Sequence, residues 1–165
     1  MTAGSKIDTH TGSPTDEGAE VIEGIEVSFD GQCLCGAVTF SGLANRAEAV
    51  AVHCHCKDCQ RATGSGFATV IAVSESALRV TGPLASYTLV GASGGEVCRE
   101  FCPKCGSPMF TTAALSKGLR FVKAGVLNDS SWVTPAMACW TESREDWCLI
   151  DDDLPGVAQN PVITS

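Results

Sequence analysis

Three cysteine groups constrain this chain more than anything else in it: Cys33-Leu-Cys35, Cys54-His-Cys56-Lys-Asp-Cys59 and Cys102-Pro-Lys-Cys105. Thiolates two or three residues apart converge on one tetrahedral Zn²⁺ wherever the backbone turns sharply beside them. A domain tied by such knots can fold around a modest apolar core. The seven sulfurs of these groups make one closed four-sulfur site and leave a second site one ligand short. An open fourth position is the mark of a catalytic rather than a structural zinc.

The chain has 165 residues, enough for one domain, and a formal net charge of −8. That charge argues against nucleic acid and anionic membranes as partners, because both need a basic surface. No apolar run is long enough for a membrane-spanning helix. The first residues lack a basic stretch followed by an apolar one, so a secretory signal is not expected. Ten cysteines could also be read as five disulfides. The paired spacings favour metal ligation instead, and with it a reducing, cytoplasmic location.

Residues 1–24 are rich in Thr, Gly, Ser, Asp and Glu and read as a disordered acidic tail. Residues 25–165 then form the zinc-binding domain. Short apolar or alternating stretches recur there between turn residues, which predicts a mainly β fold. Candidate strands are 36–42, 49–52, 67–73, 78–81, 86–90 and 119–124, with Asp30-Gly31 as a turn before the first cysteines. Lys57 to Thr63 predicts one short helix, ended by Gly64-Ser65-Gly66, and 74–77 a further turn. Nothing reads as a long amphipathic helix.

Gly36 and Gly106 each follow a cysteine pair and permit the positive φ that turns backbone N–H groups toward sulfur. Cys33, Cys35, Cys102 and Cys105 therefore predict one structural zinc closing a long loop. Cys54, Cys56 and Cys59 are the candidate catalytic set. Its fourth ligand could be His53, His55, Cys98, water or a substrate. In an extended stretch His53 and His55 point away from Cys54, which makes them poor ligands. A thiol entering the open position would lose its proton outright. Lys57 and Arg61 follow closely and could attract an anionic thiol, although a single charge is more often plain surface. Cys98, Cys139 and Cys148 have no partner spacing and read as core filler. Trp132, Trp140 and Trp147 are expected to pack the sheet, and Asp151 to Asp153 to form a solvated turn.

The segments Gly31-Gln-Cys-Leu-Cys-Gly-Ala-Val, His53-Cys-His-Cys-Lys-Asp-Cys-Gln-Arg-Ala-Thr-Gly and Arg99-Glu-Phe-Cys-Pro-Lys-Cys-Gly-Ser-Pro resemble the glutathione-dependent formaldehyde-activating enzyme family, which also includes the centromere protein V domain. Gly125-Val-Leu-Asn-Asp129, Pro135 and Ser143-Arg-Glu-Asp-Trp147 fall in that family's order. The resemblance implies a β-tent-like fold of coiled antiparallel sheets built around two zinc ions. One ion would sit on Cys33, Cys35, Cys102 and Cys105, and the other on Cys54, Cys56 and Cys59. It also implies a carbon–sulfur lyase that condenses glutathione with formaldehyde to S-hydroxymethylglutathione. One departure is visible: the family's usual histidine three residues after Pro135 is Ala138 here. A non-catalytic zinc module that binds glutathione or a protein partner, or a purely structural two-zinc scaffold, is the alternative.

Overall fold

A computed structural model describes residues 25–149, 151 and 153–161, so the expected acidic tail lies outside the described residues. The protein is mainly β, as its short alternating stretches predict. In chain order the strands are β1 (Glu26–Gln32), β2 (Thr39–Asn45), β3 (Ala51–Cys54), β4 (Ala68–Ser74), β5 (Leu78–Thr81) and β6 (Ala85–Val90). They continue with β7 (Glu96–Phe101), β8 (Pro108–Ala113), β9 (Leu119–Lys123), β10 (Pro135–Cys139) and the two-residue β11 (Gly156–Val157). One helix, α1 (Lys57–Thr63), stands between β3 and β4 and ends where Gly64 turns left-handed, φ 67°.

Two sheets result. The smaller has the order β1-β2-β5, the larger β11-β10-β3-β4-β9-β8-β7-β6. Most pairings are antiparallel, but β10 runs parallel to both β3 and β11. Strand alternation divides the larger sheet into two faces. Ile71 faces Ala51 on one side and Val122 on the other, and Val122 faces Phe110. All four are buried in the core shared with the smaller sheet. Phe40 of β2 meets Phe110 edge-on at 5.2 Å between ring centroids, and Phe29 of β1 stacks obliquely against Trp132 at 5.9 Å.

The sequence pattern missed β1, β7, β8, β10 and the short β11. Asp30-Gly31 is strand, not turn, because Gly31 carries no Cβ and the backbone after β9 closes directly onto it. Gly31 bridges Leu127, and Asn128 N–H donates to the Asp30 carbonyl at 3.0 Å. The tryptophan expectation fails at Trp147, which is 71% exposed, whereas Trp132 packs against the core. Asp151 does cap a turn, its carboxylate accepting from Asp153 N–H.

A Cβ at position 31 would lie 2.1 Å from the Val126 carbonyl oxygen and 2.5 Å from the Phe40 ring. Backbone on one side and a core aromatic on the other cannot both yield. Gly31→Ala is therefore expected to destabilise the protein by about 3 kcal/mol. Gly125→Ala, at a position with no atom within 4 Å of the added Cβ, should be nearly neutral; paired denaturation curves check the contrast.

Candidate metal centre

The turn after β1 and the turn between β7 and β8 bring four cysteines into one cluster. The Sγ atoms of Cys33, Cys35, Cys102 and Cys105 all lie within 4.8 Å of one another. Cys33 and Cys35 sulfurs are 3.6 Å apart, and Cys35 and Cys102 sulfurs 3.8 Å. Tetrahedral zinc with bonds of about 2.3 Å sets its sulfurs about 3.8 Å apart, so the set fits that ion. Both turns are built as their glycines require: Gly36 has φ 71° and Gly106 φ 76°. Gly36 N–H donates to the Cys33 carbonyl and Gly106 N–H to the Cys102 carbonyl, closing each knuckle. Val38 N–H reaches the Cys33 sulfur at 3.3 Å. Ser107 hydrogen-bonds Cys105 and lowers its thiol to about 5, which favours the ligating thiolate.

The second cluster forms where β3 runs into α1. Cys54 ends the strand, Cys56 is the N-cap of the helix and Cys59 lies in its first turn, and the three sulfurs again gather within 4.8 Å. Cys59 N–H points at the Cys56 sulfur, 3.4 Å away. Thiols this close titrate as a group. Hydrogen bonds from Cys54 first, then Cys59, bring Cys56 to about 2. Cys54 is pushed up, chiefly by Cys139, and Cys59 is pushed up, chiefly by Cys54. The helix N-terminus favours the Cys56 thiolate, and the three gathered sulfurs form a donor set suited to a soft divalent cation.

Strand alternation sends the histidines elsewhere. His53 bonds the Thr69 hydroxyl through Nδ1 at 3.0 Å, and both His53 and the fully buried His55 pack against Phe67. Burial pushes both imidazoles down toward the neutral form. Cys98 is not beside the triad; it sits in β7 between Thr88 and Thr112. Cys139 is the cysteine that approaches, because β10 runs parallel to β3 and pairs it directly with Cys54. Ala138, at the family's usual histidine position, is fully buried in register with His53, one residue out of phase with Cys54. Cys148 is also buried, its sulfur pressed against Gly66.

Lys57 and Arg61 are both exposed on α1. Lys57 is engaged in an ion pair with Glu145 and a hydrogen bond to Gln60. Gln60 in turn staples the helix down, donating to the carbonyls of His55 (2.8 Å) and Ser143 (2.9 Å).

The cation the sequence reading missed is Lys123, at the end of β9. It is 6% exposed and is in no ion pair among the described residues. Val70 lies opposite it, and Ala68, two residues along the same strand, lies opposite Cys54, so Lys123 and Cys54 share a sheet face. Burial pushes its ammonium down, while Cys59, Cys54 and Cys56 draw it back up. A lysine directly after the apolar pair Phe121-Val122 was the one available signal. Lys123 also borders two cavities, of about 500 and 230 Å³. The larger is reached by Thr63, Ser65, Ser107 and Ser130 and touches the triad's surroundings through Ala68 and through Thr63, whose hydroxyl donates to the Cys59 carbonyl. The cysteines themselves line neither cavity.

Comparison with known proteins agrees with this arrangement. The family model for glutathione-dependent formaldehyde-activating enzyme matches residues 28–143, which contain all seven clustered cysteines. The crystal structure of a Rhodobacter sphaeroides protein, a structural genomics target, superposes with a TM-score of 0.52 at 23% identity, covering 78% of this chain and 99% of that one. That likeness bears on the fold alone. No curated protein matches the sequence. With a family match over most of its length, the chain belongs to the glutathione-dependent formaldehyde-activating enzyme family.

Proposed function

We propose that this protein activates a thiol, glutathione or a close analogue, for addition to a small aldehyde such as formaldehyde. The reaction is that of a carbon–sulfur lyase of the S-hydroxymethylglutathione synthase type. One observation carries the reading: a gathered three-sulfur set stands apart from a complete four-sulfur set. Zinc on Cys33, Cys35, Cys102 and Cys105 is structural. A second zinc on Cys54, Cys56 and Cys59 supplies capture of a fourth, exchangeable sulfur as its thiolate.

The chain's own groups do the rest. The sulfur forms a bond to the aldehyde carbon as the carbon–oxygen π bond opens, and the proton lost by the thiol ends on the new oxygen. Negative charge is present throughout, first on sulfur and then on oxygen, and the buried ammonium of Lys123 on the same sheet face opposes it. Ser65, at the wall of the larger cavity, offers a hydroxyl to an aldehyde oxygen, whereas the Thr63 hydroxyl is committed to the Cys59 carbonyl. Lys57 and Arg61, exposed on α1, contribute long-range attraction for an anionic thiol and no direct contact. Ten unbridged cysteines support a reducing, cytoplasmic setting, and no helix among the described residues is long and apolar enough to cross a membrane. The net charge of −8 speaks against nucleic acid as a partner. Ala138 favours one rival, a module that binds the thiol without turning it over, because the family's usual histidine is absent there.

Metal analysis separates the two clusters. The purified chain is expected to hold two zinc ions. Cys56→Ser should lose one and stay folded, whereas Cys102→Ser should lose the fold, since structural zinc contributes on the order of 10 kcal/mol. Retention of the fold in Cys102→Ser would show that the four-cysteine pairing is not structural.

The thiol reading is checked by titrating glutathione into the zinc-loaded chain and following adduct formation with formaldehyde by NMR. Binding and a rate above the spontaneous reaction are expected, both lost in Cys56→Ser. Binding without rate enhancement would establish the non-catalytic rival.

A further inference from the structure

The smaller cavity holds an arrangement that zinc and thiol capture do not use. Its walls include Arg99 from β7 and Lys123 from β9, with Ala62 of α1 above them. The registers Arg99–Thr111, Thr111–Phe121 and Val70–Lys123 place Arg99, Thr111 and Lys123 on one sheet face, the face that also carries Cys54. The Arg99 side chain is 15% exposed, and its Nε and Nη1 are buried with no hydrogen-bond partner; the Thr111 hydroxyl is bare in the same way. Asp58 of α1 faces only the Arg99 Nη2, at 3.8 Å, beyond hydrogen-bond length. Glu100, the next acid along, is committed to Arg120 through two hydrogen bonds.

Arg99 and Lys123 thus line one cavity; Asp58 pairs with Arg99 through Nη2 alone, Glu100 on the same wall is held by Arg120, and Lys123 is in no ion pair among the described residues. A buried donor without a partner is costly, more so when charged, so folding alone gives no reason to leave the Arg99 Nε and Nη1 bare. Charge balance with the cysteine triad explains a cation at Lys123. It does not explain a guanidinium whose planar edge is left free, which is the shape that pairs with a carboxylate.

We propose that Arg99 and Lys123 form an anion recess that receives a carboxylate of the thiol substrate and so sets the substrate class as carboxylate-bearing thiols. The inference rests on the thiol reading above. Lys123 and Pro108 border both cavities. A thiol with its sulfur at the triad can thus lay its body along the larger cavity and its carboxylate into the smaller one. The recess is a positioning device: it anchors the far end of the molecule while the chemistry proceeds at sulfur.

Three ligands titrated by calorimetry into the zinc-loaded full chain test it: glutathione, glutathione diethyl ester with both carboxylates blocked, and S-methylglutathione with the sulfur blocked. Glutathione should bind at least about tenfold more tightly than its diester, the scale of one charge-assisted pair. S-methylglutathione should bind through its carboxylates alone. Arg99→Gln should remove about tenfold from glutathione and from S-methylglutathione while leaving the diester unchanged. Lys123→Met, which replaces a buried charge by an apolar chain of similar length, provides the same comparison should Arg99→Gln fail to fold. A diester as tight as glutathione, or substitutions that weaken all three ligands alike, would overturn the recess. Equal affinity for glutathione and S-methylglutathione, still reduced by Arg99→Gln, would retire thiol capture and leave the recess standing. No binding by any of the three would overturn both.

Discussion

The four-sulfur knot at Cys33, Cys35, Cys102 and Cys105 is the junction on which the two sheets depend. The smaller sheet has only three strands, and its contribution to the core is chiefly Phe29, Val38 and Phe40. A sheet of that size buries too little to hold a fixed position by apolar contact alone. Sulfurs from the turn after β1 and from the β7–β8 turn meet 67 residues apart in sequence, and an ion shared between them would close a loop that contains β2 to β7. With those turns joined, Phe40 is carried onto Phe110 and the interface between the sheets becomes compact. Cys33 and Cys102 are themselves almost fully buried, so the knot belongs to the core as much as to the surface.

With one face of the larger sheet committed to that core, the opposite face is free for chemistry. The period of two along a strand makes the division strict. In β3 it sends His53 to Thr69 and Phe67 and sends Cys54 to the triad. In β9 it sends Val122 to the core and Lys123 to the side of the cysteines. A slip of one residue in either strand would exchange a ligand for an imidazole, or a buried ammonium for a valine. The site is therefore set by register more than by any single contact, and α1, stapled through Gln60, completes it by bringing Cys56 and Cys59 back over the sheet.

How much of this was legible in the sequence differs from element to element. The cysteine groups were fully legible, because ligand spacing is a local property and the glycines after two of the pairs advertise their turns. The helix Lys57–Thr63 and its glycine stop were legible for the same reason. The strands missed share a different character. Glu96–Phe101 carries two acids and an arginine, Pro108–Ala113 opens on proline, and Pro135–Cys139 opens on proline and carries two alanines, so each owes its extended form to its neighbours rather than to its own propensity. Cys139 looked like filler because its relation to Cys54 exists only through a parallel pairing that no spacing encodes. Lys123 and Arg99 were invisible as a pair, being 24 residues apart on non-adjacent strands of the sheet.

Charge accounting at the chemical face shows why those two cations matter. Three thiolates with one divalent ion would carry a net charge near −1, which the buried Lys123 on the same sheet face would offset. A fourth thiolate brings the centre to −2, and a thiol that also carries carboxylates is more negative still. In a chain whose overall charge is already −8, such a ligand would be repelled at long range unless positive charge were concentrated where it docks. The exposed Lys57 and Arg61 add only a water-screened part of that attraction, Lys57 being paired with Glu145 as well. Buried cations are far less screened. Arg99, whose Nε and Nη1 are left bare beside its Asp58 contact, and Lys123 concentrate positive charge at one end of the cleft. The same economy holds at the cysteines, where three gathered sulfurs form a donor set that a soft cation would fill. Both halves of the site are thus built out of electrostatic balance on their own, and each is completed by a ligand of the opposite sign.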